Sequence, residues 1–536
     1  MNQNQKQTQR DNFILVLVAM VLGVLMGLMF AGNSHRRPSA ATPLQGKMDE
    51  VMGLVEHEYV DRVNTDSLSE RLLAVMLSEL DPHSSYLSAR ETERADELMR
   101  GNFEGVGLVL HREGDTTYVG QVLSDGPSAG LGIRPGDLIL CVDGDTVSGT
   151  SMTADSVVAH LRGPRGTSVE VMILRHTADG IDPTPLRFKI RRGVIDHKTV
   201  PLSTMLDDTT GYILLTTFAS TSHEEFRHAL RQLKSQGMRH LIFDLRGNGG
   251  GSLQSAVGIA GDLLPRGSLI VYTQGAHSHR NNVKARFNGL YTEGRVTVMI
   301  DESSASASEV VSGALQDNDR AMVAGRRSFG KGLVQTEFSL GDGSSVLLPT
   351  ARYYTPSGRC IQRPYDEGTD EYYRSYVQQL IDDSYADTTA VTDTTPYYTV
   401  GGRVVYGGGG ITPDIILPYR KDSSFIYYNR LASAGLLNRV AFDHVKHHGG
   451  DLQRRYADGD AFIKNFRTDS RLLQEVARRG EKAGIARNER SLKAQQGLMA
   501  NMMKAYIGQA LFGDAVFYRV LLTEDDDLRK VMGKRQ

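Results

Sequence analysis

Residues 302–332 read ESSASASEVVSGALQDNDRAMVAGRRSFGKG, with four serines in the first seven positions and a lysine between two glycines near the end. A serine hydroxyl becomes a nucleophile when a neighbouring base takes its proton, and a neutral amine is such a base. Ser306 stands three residues before Glu309, which by itself describes a helix-capping box with no chemistry. The same position also puts a hydroxyl at a helix N-terminus, where the following amide and the helix dipole favour an oxyanion. The glycine-rich loop 247–251 can bring a second backbone amide close, because residues without side chains allow close approach. On the residues alone, cap and nucleophile are both open.

Lys331 completes a G-x-x-x-x-G-K pattern that begins at Gly325, close to a phosphate-binding loop. Gly332, however, occupies the place of the hydroxyl residue that would bind magnesium. The following LVQTEFSL alternates like a strand, so no helix N-terminus faces a phosphate. Nucleotide binding is excluded on both counts, which leaves a base or a solvated turn lysine.

The elements that must position these groups alternate. HLIFDLRGNGGGSLQSAVGIAGDLL and RVTVMIDESSASASEVVSGAL each read as strand, loop and helix, and such units aim their loops at one edge of a sheet, where α/β proteins place ligands. Upstream, GYILLTTF is strand-like. SHEEFRHALRQLKSQG then opens on a second capping box, Ser222 to Glu225, with Phe226, Ala229, Leu230 and Leu233 on one helical face. Residues 101–193 form a different pattern: paired strands GVGLVLHR and TTYVGQVL, the turn-rich GPSAGLGIRPGD, the strand LILCVDG, a helix and a last strand. That order resembles a PDZ domain, which adds a peptide as a strand and holds its C-terminal carboxylate in backbone amides. The receiving loop is expected at Gly105, Val106, Gly107 and Leu108.

The remaining chain bounds the setting. Its 536 residues are enough for two to four domains, and 61 Lys+Arg against 63 Asp+Glu leave no global field for nucleic acid. Cys141 and Cys360 are far apart and match no metal spacing. Residues 13–31 carry no charge and span ~28 Å as a helix, so an uncleaved membrane anchor is expected there. Met48, Val51, Met52 and Val55, then Leu68, Leu72, Leu73 and Met76, predict helices before the turn in LDPHSSYL, whose His83 and serines are taken as structural. Residues 422–536 are mostly helical. His444, His447 and His448 are read as a solvated face rather than a metal site, and the acidic run 524–527 as solvated surface.

LDPHSSYL, the PDZ-like segment, DLRGNGGG, SASASEVVSGALQDNDRAMVAGRRSFGKGLVQ and GGGGITPD together resemble the carboxyl-terminal processing peptidases, or tail-specific proteases, over roughly residues 45–420. The resemblance implies an α/β multidomain fold: a peptidase core related to crotonase and the caseinolytic protease subunit, an inserted PDZ-like domain, an N-terminal helical segment and a helical C-terminal appendage. The expected boundaries are a cytoplasmic N-terminus 1–12, anchor 13–31, linker 32–44, helical region 45–100, PDZ-like domain 101–193, peptidase core 194–420 and helical domain 421–536.

It also implies a Ser/Lys dyad at a fixed interval; the 25 residues from Ser306 to Lys331 select Ser306 over Ser303, Ser304 and Ser308. Gln335 then matches the glutamine that orients the lysine, Ala307 the oxyanion amide beside the nucleophile, and Gly250 with Gly251 the second oxyanion donor. Asp317 matches an aspartate implicated in some members. Free lysine, with a pKa of ~10.4, would be neutral in only ~0.1% of molecules near pH 7.5, so such a site must desolvate it.

The implied function is an extracytoplasmic, inner-membrane-anchored serine endopeptidase acting on exported or envelope proteins with free C-termini. No cofactor, metal or nucleic acid is implied, and a homo-oligomer is compatible. The contrasting expectation is a non-catalytic PDZ-type scaffold in which Ser306 only caps a helix.

Overall fold

The computed structural model describes residues 43–177, 180–381, 395–418 and 423–533. The chain divides into two units at residue 77. The first contains the helix Pro43–Glu58, on the expected apolar spacing. The anchor expected at 13–31 lies outside the described residues; among the described residues, no helix is long and apolar enough to cross a membrane.

The second unit is built around a sheet in the order Leu202–Met205, Thr210–Leu214, His240–Asp244, Arg295–Ile300, Met322–Gly325, Ile415–Ile416. Its first pair is antiparallel and the rest are parallel. HLIFD and RVTVMI are near-continuous apolar runs because such strands are covered on both faces. One face packs on Phe226, Leu230 and Leu233 of the helix Ser222–Ser235 and on Val310, Val311 and Leu315 of the helix Ala307–Asp317. Against the other face, Tyr212, Leu214, Ile242 and Met299 meet Leu528 and Val531 of the last helix, Asp526–Gly533.

A second sheet joins Ser85–Leu87 to Ser345–Tyr354, which also pairs with Leu333–Ser339 and Leu269–Gly275. The PDZ-like segment has its own core, including Val119, Ile139, Val157, Val171 and Ile190, and ends its sheet at the edge strand Leu108–Glu113. The C-terminal helices enclose another core around Leu437, Val440, Phe462, Val476 and Met503. They touch the PDZ-like segment, where the Phe442 ring packs on that of His111 at 4.0 Å and Lys446 pairs with Glu113 at 3.0 Å.

One local expectation fails and two hold in part. The Ser222 hydroxyl accepts the Ala219 N–H at 2.8 Å, while Glu225 accepts the amides of Thr199 and Val200, so the pair braces a loop instead of forming a box. His447 and His448 are exposed, as a solvated face requires, but His444 is half-buried with its ring 4.8 Å from that of His448, and burial pushes its pKa down to about 4; His447 also packs on His176 at 5.4 Å. In the acidic run, Asp525 and Asp527 turn inward to Arg246 at 2.5 Å and Arg326 at 2.9 Å. Their partners lie some 200 or more residues upstream, so a local charge run could not reveal them.

Candidate active site

Ser306 sits at the junction between the strand Arg295–Ile300 and the helix Ala307–Asp317, with φ 54° and ψ −112°. A non-glycine residue held there costs roughly 1–3 kcal/mol and persists only when its surroundings over-determine it. The neighbouring serines have structural partners: the Ser304 hydroxyl donates to the Leu245 carbonyl and the Ser308 hydroxyl to the Asn248 carbonyl, both at 2.8 Å.

What fixes Ser306 is Glu309. Its fully buried carboxylate accepts the Ser306 N–H at 2.8 Å, as the capping pattern requires. The same oxygen also accepts the Lys331 N–H at 2.9 Å. The other oxygen accepts the Gly330 N–H at 2.8 Å and the Ser328 hydroxyl at 2.6 Å. One side chain thus ties the serine turn to the lysine loop; burial raises its pKa while these four donors oppose the rise. The buried Tyr353 hydroxyl lies 3.0 Å from the Ser306 carbonyl oxygen and also contacts that of Lys331, so it joins the same two segments a second time. Sequence reasoning treated Glu309 as a cap and missed Tyr353, whose partners are backbone atoms without a sequence signature.

The Lys331 ammonium nitrogen bonds to Gln335 Oε1 at 2.5 Å. Burial lowers its pKa, with the charges of Glu309 and Asp81 opposing. Gln335 begins just after a bulge in the pairing of Leu333–Ser339 with Ser345–Tyr354, and its Nε2 donates to the His83 carbonyl at 2.7 Å. That bond fixes the amide with its oxygen toward the lysine. LDPHSSYL is the expected turn, with Asp81 accepting the His83 and Ser84 amides at 2.7 and 2.8 Å, but it also carries the carbonyl that orients Gln335. Burial first, then the Lys331 charge, pushes the His83 pKa to about 4, so its imidazole is neutral near pH 7.

The glycine loop lies against the serine. A Cβ on Gly250 would stand 2.8 Å from Ser306 Cβ and 3.0 Å from the Ala307 nitrogen. Its φ of +102° is also one that side chains avoid. The Gly250 N–H donates to Asn248 Oδ1 at 2.9 Å, so in this conformation that amide is engaged. Gly251 bridges to Phe218 through the flanking Gly250 carbonyl and Ser252 amide, a pattern that does not use its own N–H. Asn248, fully buried, holds the loop by donating to the Leu215 carbonyl at 2.8 Å and accepting the Ala305 N–H at 3.0 Å. Asp317 is elsewhere, in a fully buried ion pair with Arg359 at 2.7 Å.

In the PDZ-like segment, Gly105 pairs with Gly193 and Val106 joins the core. The Val106 carbonyl accepts both the N–H and hydroxyl of Ser128, at 3.0 and 2.6 Å. Gly107 has φ +76°, and a Cβ there would lie 2.9 Å from Gly126 Cα. Leu108 then opens the edge strand, which pairs on one side with Thr116–Val122.

Residues 209–370 match peptidase family S41, residues 118–175 a PDZ domain, and residues 427–513 a family of unknown function. The chain is 35% identical over 320 residues to a carboxy-terminal-processing protease of Bartonella bacilliformis, covering 59% of this chain and 72% of the relative. It is 32% identical over 374 residues to a carboxyl-terminal-processing protease of Synechocystis, covering 64% and 84%. A solved photosystem II D1 C-terminal processing protease is 27% identical, covers 70% of this chain and 86% of its own, and superposes with a TM-score of 0.35. A peptidase core with a PDZ domain and a helical C-terminal region, at this similarity, makes the chain a member of the carboxy-terminal processing proteases, the serine peptidases of family S41.

Proposed function

We propose that Ser306 is the nucleophile of this serine protease and Lys331 its general base, with Gln335 holding the lysine. Neutral Lys331 takes the Ser306 proton, the oxygen adds to the scissile carbonyl, and the resulting lysinium protonates the leaving amine. Water, deprotonated by the same amine, then adds to the acyl-enzyme and releases the new C-terminus. The oxyanion is received by the Ala307 amide at the helix N-terminus and by the glycine loop. There Gly250 supplies clearance and Gly251 the second amide; Gly250 serves as donor only if its N–H leaves Asn248.

The observation that carries this reading is the lysine's surroundings: a desolvated amine whose nearest partner is a neutral amide, on a loop tied to the same carboxylate oxygen as the serine. A helix cap needs none of these. Reaction with a serine-directed phosphonate, followed by peptide mapping, should label Ser306 and leave Lys331→Arg unlabelled, because a guanidinium stays protonated. Labelling at another serine, or a fully active Lys331→Arg enzyme, would remove the dyad.

The loop at Gly105, Val106, Gly107 and Leu108 is proposed to receive the free C-terminal carboxylate of protein substrates, beside an edge strand open to an added strand. Residues 13–31 are proposed to anchor the enzyme in the inner membrane with the peptidase on the extracytoplasmic side. Release of the full-length chain from membranes by a carbonate wash would refute the anchor.

A further inference from the structure

The acidic run before the last helix divides by direction. Glu524 is exposed and pairs with Arg529 at 3.1 Å, and Asp526 pairs with the same arginine at 2.8 Å. Asp525 instead caps the helix, one oxygen accepting the Leu528 N–H at 2.9 Å and the other meeting the Arg246 guanidinium at 2.5 Å. Arg246 is also held by Asp244 at 2.6 Å and stands immediately before the glycine loop. Asp527, on the same helix, meets Arg326 at 2.9 Å. Arg326 reaches on to Glu302 at 3.0 Å, at the start of the serine segment, and lies five residues before Lys331. Leu528 and Val531 fasten the helix to the sheet from which all these loops emerge. The three arginine and acid side chains at the second junction are mostly buried, at 13, 11 and 20% exposed, so their attraction is only weakly screened.

We infer that the C-terminal helix is part of the active-site scaffold, with Asp525 and Asp527 as positioning residues: Asp525 sets the glycine loop through Arg246, and Asp527 sets the serine and lysine segments through Arg326 and Glu302. The inference rests on the Ser306/Lys331 reading above. Neither aspartate touches the reacting atoms. Each holds the base of a loop whose backbone must stay within a fraction of an ångström, and a misplacement of 1 Å can lower turnover about a hundredfold.

The full-length enzyme is compared with Asp525→Asn, Asp527→Asn and, as a control at an exposed acid of the same run, Glu524→Gln. Asparagine caps a helix as well as aspartate, so Asp525→Asn removes the charge and keeps the helix. The expected result is a fall in kcat of roughly 10- to 100-fold for Asp525→Asn and Asp527→Asn with KM within about twofold, and no change for Glu524→Gln. Phosphonate labelling of Ser306 should slow in parallel, and amide exchange should quicken in peptides covering 247–251 and 328–331. Unchanged kcat and unchanged exchange in both variants would overturn the inference, as would a fall in kcat accompanied by global loss of exchange protection. If Asp525→Asn does not fold, Asp527→Asn decides alone. Ser306→Ala is run alongside: activity surviving there refutes the dyad, whereas a dead Ser306→Ala beside normal aspartate variants refutes only the scaffold role.

Discussion

Gln335→Glu tests the lysine's electrostatics with almost no change in shape. In the wild type the amide oxygen accepts from Lys331 at 2.5 Å without adding charge, and desolvation keeps the lysine pKa below 10.5. A carboxylate in its place attracts the ammonium by about 4 kcal/mol at 4 Å for an effective dielectric of 20. Burying the new charge, and facing it toward the His83 carbonyl, offsets much of that gain. The net expectation is a lysine pKa raised by roughly 1–3 units. The proton prefers the amine, whose reference pKa exceeds that of glutamate by about six units.

Only neutral Lys331 is a base, so activity rises with pH through the lysine pKa. Gln335→Glu should therefore move the ascending limb of kcat/KM to higher pH and lower the rate below that limb by roughly 10- to 1,000-fold. Initial rates on a quenched fluorogenic peptide from pH 5 to 10 measure both. A limb in the wild-type position, with the rate intact, would show that Lys331 is not the titrating base.

Gly250→Ala places a methyl 2.8 Å from Ser306 Cβ on backbone at φ +102°, so turnover should fall at least about a hundredfold; near-normal kcat would mean the loop can withdraw. Tyr353→Phe removes the hydroxyl that meets the Ser306 and Lys331 carbonyls. At about 0.5–1.5 kcal/mol for each hydrogen bond, it should reduce stability in a chemical denaturation series and lower kcat more than it changes KM. Lys331→Met should raise the apparent melting temperature at pH 7, because burial in the folded state disfavours the charged form that the unfolded chain keeps; a lower value would contradict the burial cost. Amidating the C-terminus of a good peptide substrate should slow cleavage, and equal rates for acid and amide would exclude carboxylate capture by the 105–108 loop.

The sequence by itself determined what local pattern and composition encode. Apolar runs such as HLIFD and RVTVMI specified buried strands, the helical face around Phe226 specified a side that packs, and the resemblance to the processing peptidases, not the residues alone, pointed to Ser306 over its neighbouring serines. It also separated the PDZ-like segment from the core, because the order of strands and turns is itself a sequence property. Only the tertiary structure decided how the candidate site is held. Glu309 reads as a cap because its Ser306 bond spans three residues, whereas its bonds to the lysine loop span 19 to 22. His83, Tyr353 and Gly250 act through carbonyls, amides and empty space, which every residue shares and no spacing marks. Asp525 looks like one member of an exposed acidic run until folding brings Arg246 to it across 279 residues. Hydrogen bonds and ion pairs have a reach of a few ångströms in space and none defined along the chain, so this part of the site exists only once the sheet has assembled the loops.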